Sequence, residues 1–199
     1  MSNFVWITVN GGPLVAFAFV STFTPGPNNI MLMTSGANVG FWRTIPHMLG
    51  VTFGFSVMVL LVGVGLTGLF QAYPVLQQIL HVACLVYLVY LAIKIARSTP
   101  ANKNHQYKPM SFLSAAMFQW VNPKGWSMAL TAVSVYNQSA SWAQLLLIAL
   151  VFAAVNIPSV SVWTAAGKQL SHWMTHPKYV RWFNGSMGGL LLLSTVPML

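Results

Sequence analysis

The stretch TFTPGPNNIML, Thr22 to Leu32, breaks a long apolar run with two prolines and a glycine in consecutive positions, then adds two asparagines. A proline inside a helix removes a backbone donor and clashes with the carbonyl four residues earlier. Pro25 and Pro27 therefore free the carbonyls of Ser21 and Phe23. In hydrocarbon such groups are costly, and irregular backbone persists only where it is buried in protein or lines a cavity.

The surroundings of the stretch are a membrane. Of 199 residues, 56% are hydrophobic and 5% are charged, against about 25% charged in soluble domains. Apolar runs of roughly the 17–25 residues that cross a bilayer recur along the chain, which makes this an all-α integral membrane protein. Met1 is followed by no basic region and no small-residue cleavage site, so the first hydrophobic segment is expected to be retained. Cys84 is alone and forms no intrachain disulfide. The chain has no Asp or Glu and a formal charge of +9.

Hydropathy places six spans near Pro13–Ala37, Thr44–Phe70, Pro74–Ile95, Ser111–Val135, Trp142–Ala166 and Phe183–Leu199. The hydrophilic linker, residues 98–110, separates a first three-span repeat (1–97) from a second (111–199). Eight of the nine cations lie in alternate loops: Arg43, then Lys94, Arg97, Lys103 and Lys108, then Lys168, Lys178 and Arg181. By the positive-inside tendency these loops face the cytoplasm and both termini face outward. A nucleic-acid binder would not sort its charge this way, and contact with lipid head groups accounts for these eight.

The second half echoes the first. Span four carries FQWVNPKGWSM, Phe118 to Met128. Pro25 and Pro123 each lie roughly 12 residues, or about 18 Å, into their spans, near the middle of the bilayer. Thr24-Pro25 and Asn122-Pro123 both read as an N-cap followed by proline at the first helical position. Each broken span then holds a half-helix whose positive N-terminus points at the midplane. Paired discontinuous helices in inverted repeats are the mark of a transporter binding site; two packing kinks are the plainer alternative.

The ninth cation, Lys124, stands at the second break. An intramembrane ammonium is costly and usually paired, and this chain offers no carboxylate side chain. Its partners are freed carbonyls such as that of Gln119, or a cargo carboxylate, the preferred reading; a desolvated lysine that sits deprotonated is the further alternative. The half-helix N-termini, the Asn28 and Asn122 amides and Lys124 would hold a carboxylate. The carbonyls of Ser21, Phe23 and Gln119 would accept from an α-ammonium.

These residues resemble the lysine-exporter/homoserine-threonine resistance (LysE/RhtB) family of amino-acid efflux permeases. The resemblance rests on FTPGPNNIMLMTSGANVGF, PHMLGVTFGFS, VYLVYLAIKIA and FQWVNPKGW, in that order. The PGPNN form is most similar to the cysteine/O-acetylserine exporter branch. The resemblance implies export of an amino acid or derivative across a bacterial inner membrane, with Pro25, Gly26, Pro27, Asn28, Asn122, Pro123 and Lys124 at the family's characteristic positions. Asn29 joins them as a substrate-binding candidate. Many members carry an acid after the second glycine of the span-two GxxxG, where this chain has Phe55. Without acids, a strongly basic cargo is disfavoured against a neutral one of the threonine, homoserine, cysteine or O-acetylserine class.

A proton carrier, if there is one, would be a histidine: His81 in span three or His47 in span two. A structural imidazole donating to a carbonyl is the plainer role for each. Small-xxx-small spacings at Gly36/Gly40, Gly50/Gly54 and Gly185/Gly189 let helices approach closely, within the chain first and in a homodimer second. Trp42, Trp142, Trp182, Tyr136 and Tyr179 suit an aromatic belt. Trp120 and Trp126 flank the second break. An enzyme is the rival class, but Cys84 with His81 lacks an orienting partner. Zero carboxylates also remove common metal ligands and general acids, so no metal or cofactor is expected. A passive channel would need more polar residues than spans two, three and five supply. A transport-inactive scaffold of the same fold is a further alternative.

Overall fold

A computed structural model describes residues 3–66, 72–98, 107–137, 139–173 and 176–193, and among these no strand occurs. Eight α-helices follow one another: α1 Asn3–Phe23, α2 Pro27–Val39, α3 Phe41–Leu61, α4 Pro74–Ala96, α5 Phe112–Phe118, α6 Pro123–Tyr136, α7 Trp142–Ser171 and α8 Pro177–Leu193. A π-type turn, Val62–Leu66, extends α3, and a 3-10 turn, Gln119–Val121, extends α5.

By length and composition, Phe41–Gly65 and Trp142–Ser171 are each long and apolar enough to cross a membrane, and Ile7–Phe23 with Pro27–Val39, bent by 54°, passes the same test when the pair is taken as one span. The predicted span Pro74–Ile95 coincides with α4, and Ser111–Val135 with α5, its 3-10 turn and α6. The predicted sixth span runs into residues 194–199, outside the described residues, and its helix starts earlier, at Pro177.

The first span also starts earlier than predicted, at Asn3 rather than Pro13. Pro13 sits inside the helix because a proline removes only one ladder bond there and nothing upstream ends the apolar run. The break at Pro25 is therefore not 12 residues in from that end. Counted from their other ends, α2 has 13 residues and the α5 segment through Val121 has 10. At 1.5 Å per residue those legs are about 20 and 15 Å long. Arg43 lies in the first turn of α3 rather than in a loop, since Gly40 alone joins α2 to α3. Its φ of +83° is one that L side chains rarely adopt.

The centre of the packing is α7, which lies against α1, α2 and α3, while α3 also packs on α5 and α4 on α8. Small residues set these approaches. A Cβ added to Gly36 would stand 2.1 Å from the Thr164 carbonyl oxygen, and one on Gly167 1.9 Å from that of Met33. Thus α2 and α7 touch backbone to backbone. Gly50 and Gly54 serve α3 in the same way against Phe112, Ala115 and Ala116. The predicted Gly185/Gly189 pair does not: a Cβ on either would meet nothing within 4 Å, and it is Gly188 that abuts Ala92. Gly40 likewise serves the turn and not the packing.

Candidate functional site

The first break forms two residues later than the N-cap reading predicts. A residue preceding proline is pushed to extended backbone, and the second proline does this to Gly26 (φ −177°, ψ 176°). The helix restarts at Pro27 with Gly26, not Thr24, as its cap. The second break matches its prediction: Asn122 is extended (φ −106°, ψ 104°) and Pro123 opens α6. Neither cap makes a side-chain capping bond.

The chain folds the two breaks onto each other. The Lys124 ammonium donates to the Thr24 carbonyl and Thr24 hydroxyl, each at 2.9 Å, and to the Pro25 carbonyl at 3.4 Å. Asn28 Nδ2 donates to Gln119 Oε1 at 2.9 Å, and Gln119 Nε2 returns a bond to Asn28 Oδ1 at 3.3 Å while also donating to Ala115. Lys124 thus finds freed carbonyls, as one of its readings predicts, though on the opposite break and not at Gln119. Gln119 accepts at its carbonyl from the Asn122 N–H.

Side chains also occupy the other freed carbonyls. Ser21 accepts from the Thr24 hydroxyl at 3.1 Å. Thr22 accepts from Asn29 Nδ2 at 2.7 Å and from Ser159 Oγ at 2.8 Å. Phe23 accepts from Trp163 Nε1 at 3.3 Å, and Thr24 from Asn29 Nδ2 at 2.9 Å. The carbonyls predicted to await an α-ammonium, those of Ser21, Phe23 and Gln119, are therefore already engaged by the fold. Asn29, buried, is the clamp of the first break rather than a free amide. Asn29→Ala is expected to destabilise the protein by about 1–3 kcal/mol, because it strips a donor from two carbonyls; thermal unfolding in detergent checks it.

A small cavity lies between the breaks, lined by Ser21, Thr22, Gly26, Asn28, Asn122 and Lys124 from the breaks, with Val51 and Phe55 of α3 and Asn156 of α7 among the rest. Its volume is about 30 Å³, room for a water or so and too little for an amino acid. Asn122 is 2% exposed, and its Oδ1 has no hydrogen-bond partner. Asn156 donates to Thr52 Oγ1 at 3.0 Å, tying α7 to α3 beside the cavity.

Of the predicted site residues, Gly26, Asn28, Asn29, Asn122 and Lys124 line this cavity, while Pro25 contributes a carbonyl and Pro27 and Pro123 start the half-helices. His47 does not line it; it is fully buried one turn before Val51, and neither ring nitrogen has a hydrogen-bond partner, unlike the carbonyl-bonded role expected for it. The side chains of His81 and Cys84 lie outside the described residues. Trp126 is buried, donates to the Trp120 carbonyl at 2.9 Å and meets the Trp120 ring edge-on. Asn156 and Ser159 escaped the sequence reading, as did the side-chain roles of Thr24 and Gln119. Asn156-Ile157-Pro158-Ser159 had a signal: polar residues beside a proline within an apolar run.

Comparison with known proteins agrees with the geometry. The cysteine/O-acetylserine efflux protein of Escherichia coli (strain K12) is 32% identical over 130 residues, 63% of this chain and 67% of that protein. The proteins of the same name from Shigella sonnei (strain Ss046) and Shigella flexneri serotype 5b (strain 8401) match equally. No solved structure matches. The family model described as LysE type translocator matches residues 19–198, a range that holds both breaks and every described residue of the cavity. The chain belongs to the LysE type translocator family, a family of transmembrane transporters.

Proposed function

We propose that the protein exports a small neutral amino acid or derivative, of the threonine, homoserine, cysteine or O-acetylserine class, from the bacterial cytoplasm across the inner membrane. Transport proceeds by alternating access of two inverted three-helix repeats around the paired breaks, with both termini outside. The observation that carries the reading is the meeting of two proline-broken helices, 100 residues apart in sequence, through Lys124 and Thr24. The names of the relatives support the cargo class.

In this reading the small cavity opens between the breaks to admit a zwitterion. Lys124 turns to its carboxylate together with the Asn28 and Asn122 amides, and the half-helix N-termini of α2 and α6 add their partial positive charge. The absence of any acid beside the site leaves nothing to neutralise a second cation on the cargo, which favours neutral side chains over lysine.

Counterflow in proteoliposomes tests it. Vesicles preloaded with a mixture of amino acids are expected to take up labelled threonine, homoserine, cysteine or O-acetylserine by exchange, and lysine is expected to compete poorly. Folded, reconstituted protein that exchanges none of the four would overturn the cargo class, and preferential exchange of lysine would overturn the argument from charge.

A further inference from the structure

We infer that the carbonyl and hydroxyl of Thr24 with the carbonyl of Pro25 form the subsite for the cargo's α-ammonium, and that Lys124 fills it as a tethered stand-in when no cargo is bound. This rests on the reading of the breaks as the transport site; the Thr24 carbonyl also accepts from Asn29 Nδ2 at 2.9 Å, which leaves its second lone pair for the ammonium.

The argument starts from donor counting. A primary ammonium has three N–H donors and no acceptor. Lys124 Nζ meets three oxygens, at 2.9, 2.9 and 3.4 Å, all neutral and all from two adjacent residues. That is the complement an α-ammonium needs, and it is held by backbone whose extended geometry two prolines enforce. The Thr24 hydroxyl spends its own proton on the Ser21 carbonyl, so its lone pairs face the ammonium. Thr24 and Pro25 are exposed, whereas Gly26 and Pro27 beside them are buried, so no helix covers these oxygens.

Two further features fit a stem that comes and goes. Gly26 makes room for it: a Cβ there would stand 2.7 Å from Lys124 Cδ. The buried, unpartnered Asn122 Oδ1, two residues from Lys124, lines the same cavity. It gives the site an acceptor that the protein itself does not use.

A tethered ligand competes at an effective concentration in the millimolar range or above. A free amine therefore does not displace Lys124, nor does a simple acid attract it away. A molecule bearing both groups on one carbon does each at once: its ammonium replaces that of Lys124, and its carboxylate receives the lysine. The stand-in thereby selects α-amino acids over amines and acids, and it keeps the empty site from collapsing onto unsatisfied carbonyls.

The test uses ethylammonium chloride as the probe and thermal unfolding of the purified protein in nanodiscs as the readout, against matched sodium chloride. Wild type is expected to show no saturable stabilisation. Lys124→Ala is expected to show one that saturates in the millimolar range, and adding Thr24→Val to it is expected to weaken the probe at least fivefold. A folded Lys124→Ala with no saturable response, or a response that Thr24→Val leaves unchanged, overturns the subsite.

A second measurement does not depend on that variant folding. The rate at which an amine-acylating reagent labels Lys124, followed by mass spectrometry, is expected to rise at least threefold in Thr24→Val; an unchanged rate overturns the stand-in. Failure of the two readings is separable. Probe binding without amino-acid counterflow would leave the subsite and remove the cargo, while counterflow with no probe response would leave the carrier and remove the subsite.

Discussion

Lys124→Gln is expected to raise the half-saturation for an acid-bearing substrate by an order of magnitude or more while the protein stays folded. Glutamine keeps an amide N–H for the Thr24 carbonyl, which now receives the lysine at 2.9 Å, so the cross-link between the breaks is weakened rather than abolished. What it loses is charge. An ammonium leaving three neutral oxygens for a carboxylate trades charge-assisted bonds for an ion pair, the stronger of the two in a site with little water. No other cation lines the cavity to replace it. A factor of ten corresponds to about 1.4 kcal/mol, less than the roughly 1.5–3 kcal/mol of a single hydrogen bond to a charged group, so the expected effect is conservative. Counterflow at varied substrate concentration reads it directly, and wild-type kinetics in a well-expressed variant would remove Lys124 from the site.

Gly167→Ala is expected to do larger damage to the fold. The new methyl would lie 1.9 Å from the Met33 carbonyl oxygen and 2.8 Å from its carbon, and neither atom can swing away as a side chain could. The helices α2 and α7 must part, and overpacking of this kind costs about 1–3 kcal/mol, occasionally more; backbone against backbone puts this case at the upper end. For a protein of this size about 3 kcal/mol lowers the melting temperature by roughly 6–12 °C. The consequence reaches the site, because α2 carries Asn28 and Asn29 while Ser159 and Trp163 of α7 hold the Thr22 and Phe23 carbonyls. Gly36→Ala, on the facing helix, is expected to match it. Gly185→Ala, whose Cβ would meet nothing within 4 Å, is the control and is expected to stay within about 0.5 kcal/mol of wild type. Equal melting temperatures for Gly167→Ala and Gly185→Ala would refute the packing argument.

Much of this was open to reading in one dimension. Composition requires a membrane protein, and two closely spaced prolines after Phe23 require a helix to stop there whatever surrounds it. Asn122-Pro123 reads as an N-cap before a helix, and it is one. Where the reading slipped, a neighbour in sequence or in space decided. The second proline moved the first cap from Thr24 to Gly26. The small-residue rule picked Gly185 and Gly189, but the helix face that meets α4 is the one bearing Gly188.

The sequence by itself determined the broken helices, the lysine beside the second break and the lack of any acid to pair with it, because proline chemistry and charge are local properties. Only the tertiary structure decided where the freed groups go. That Lys124 of α6 reaches Thr24 and Pro25 depends on the second break folding onto the first, and that Ser159 and Trp163 bond the Thr22 and Phe23 carbonyls depends on α7 lying against α1 and α2. Hydrogen-bond partners about a hundred residues or more apart leave no periodicity to read.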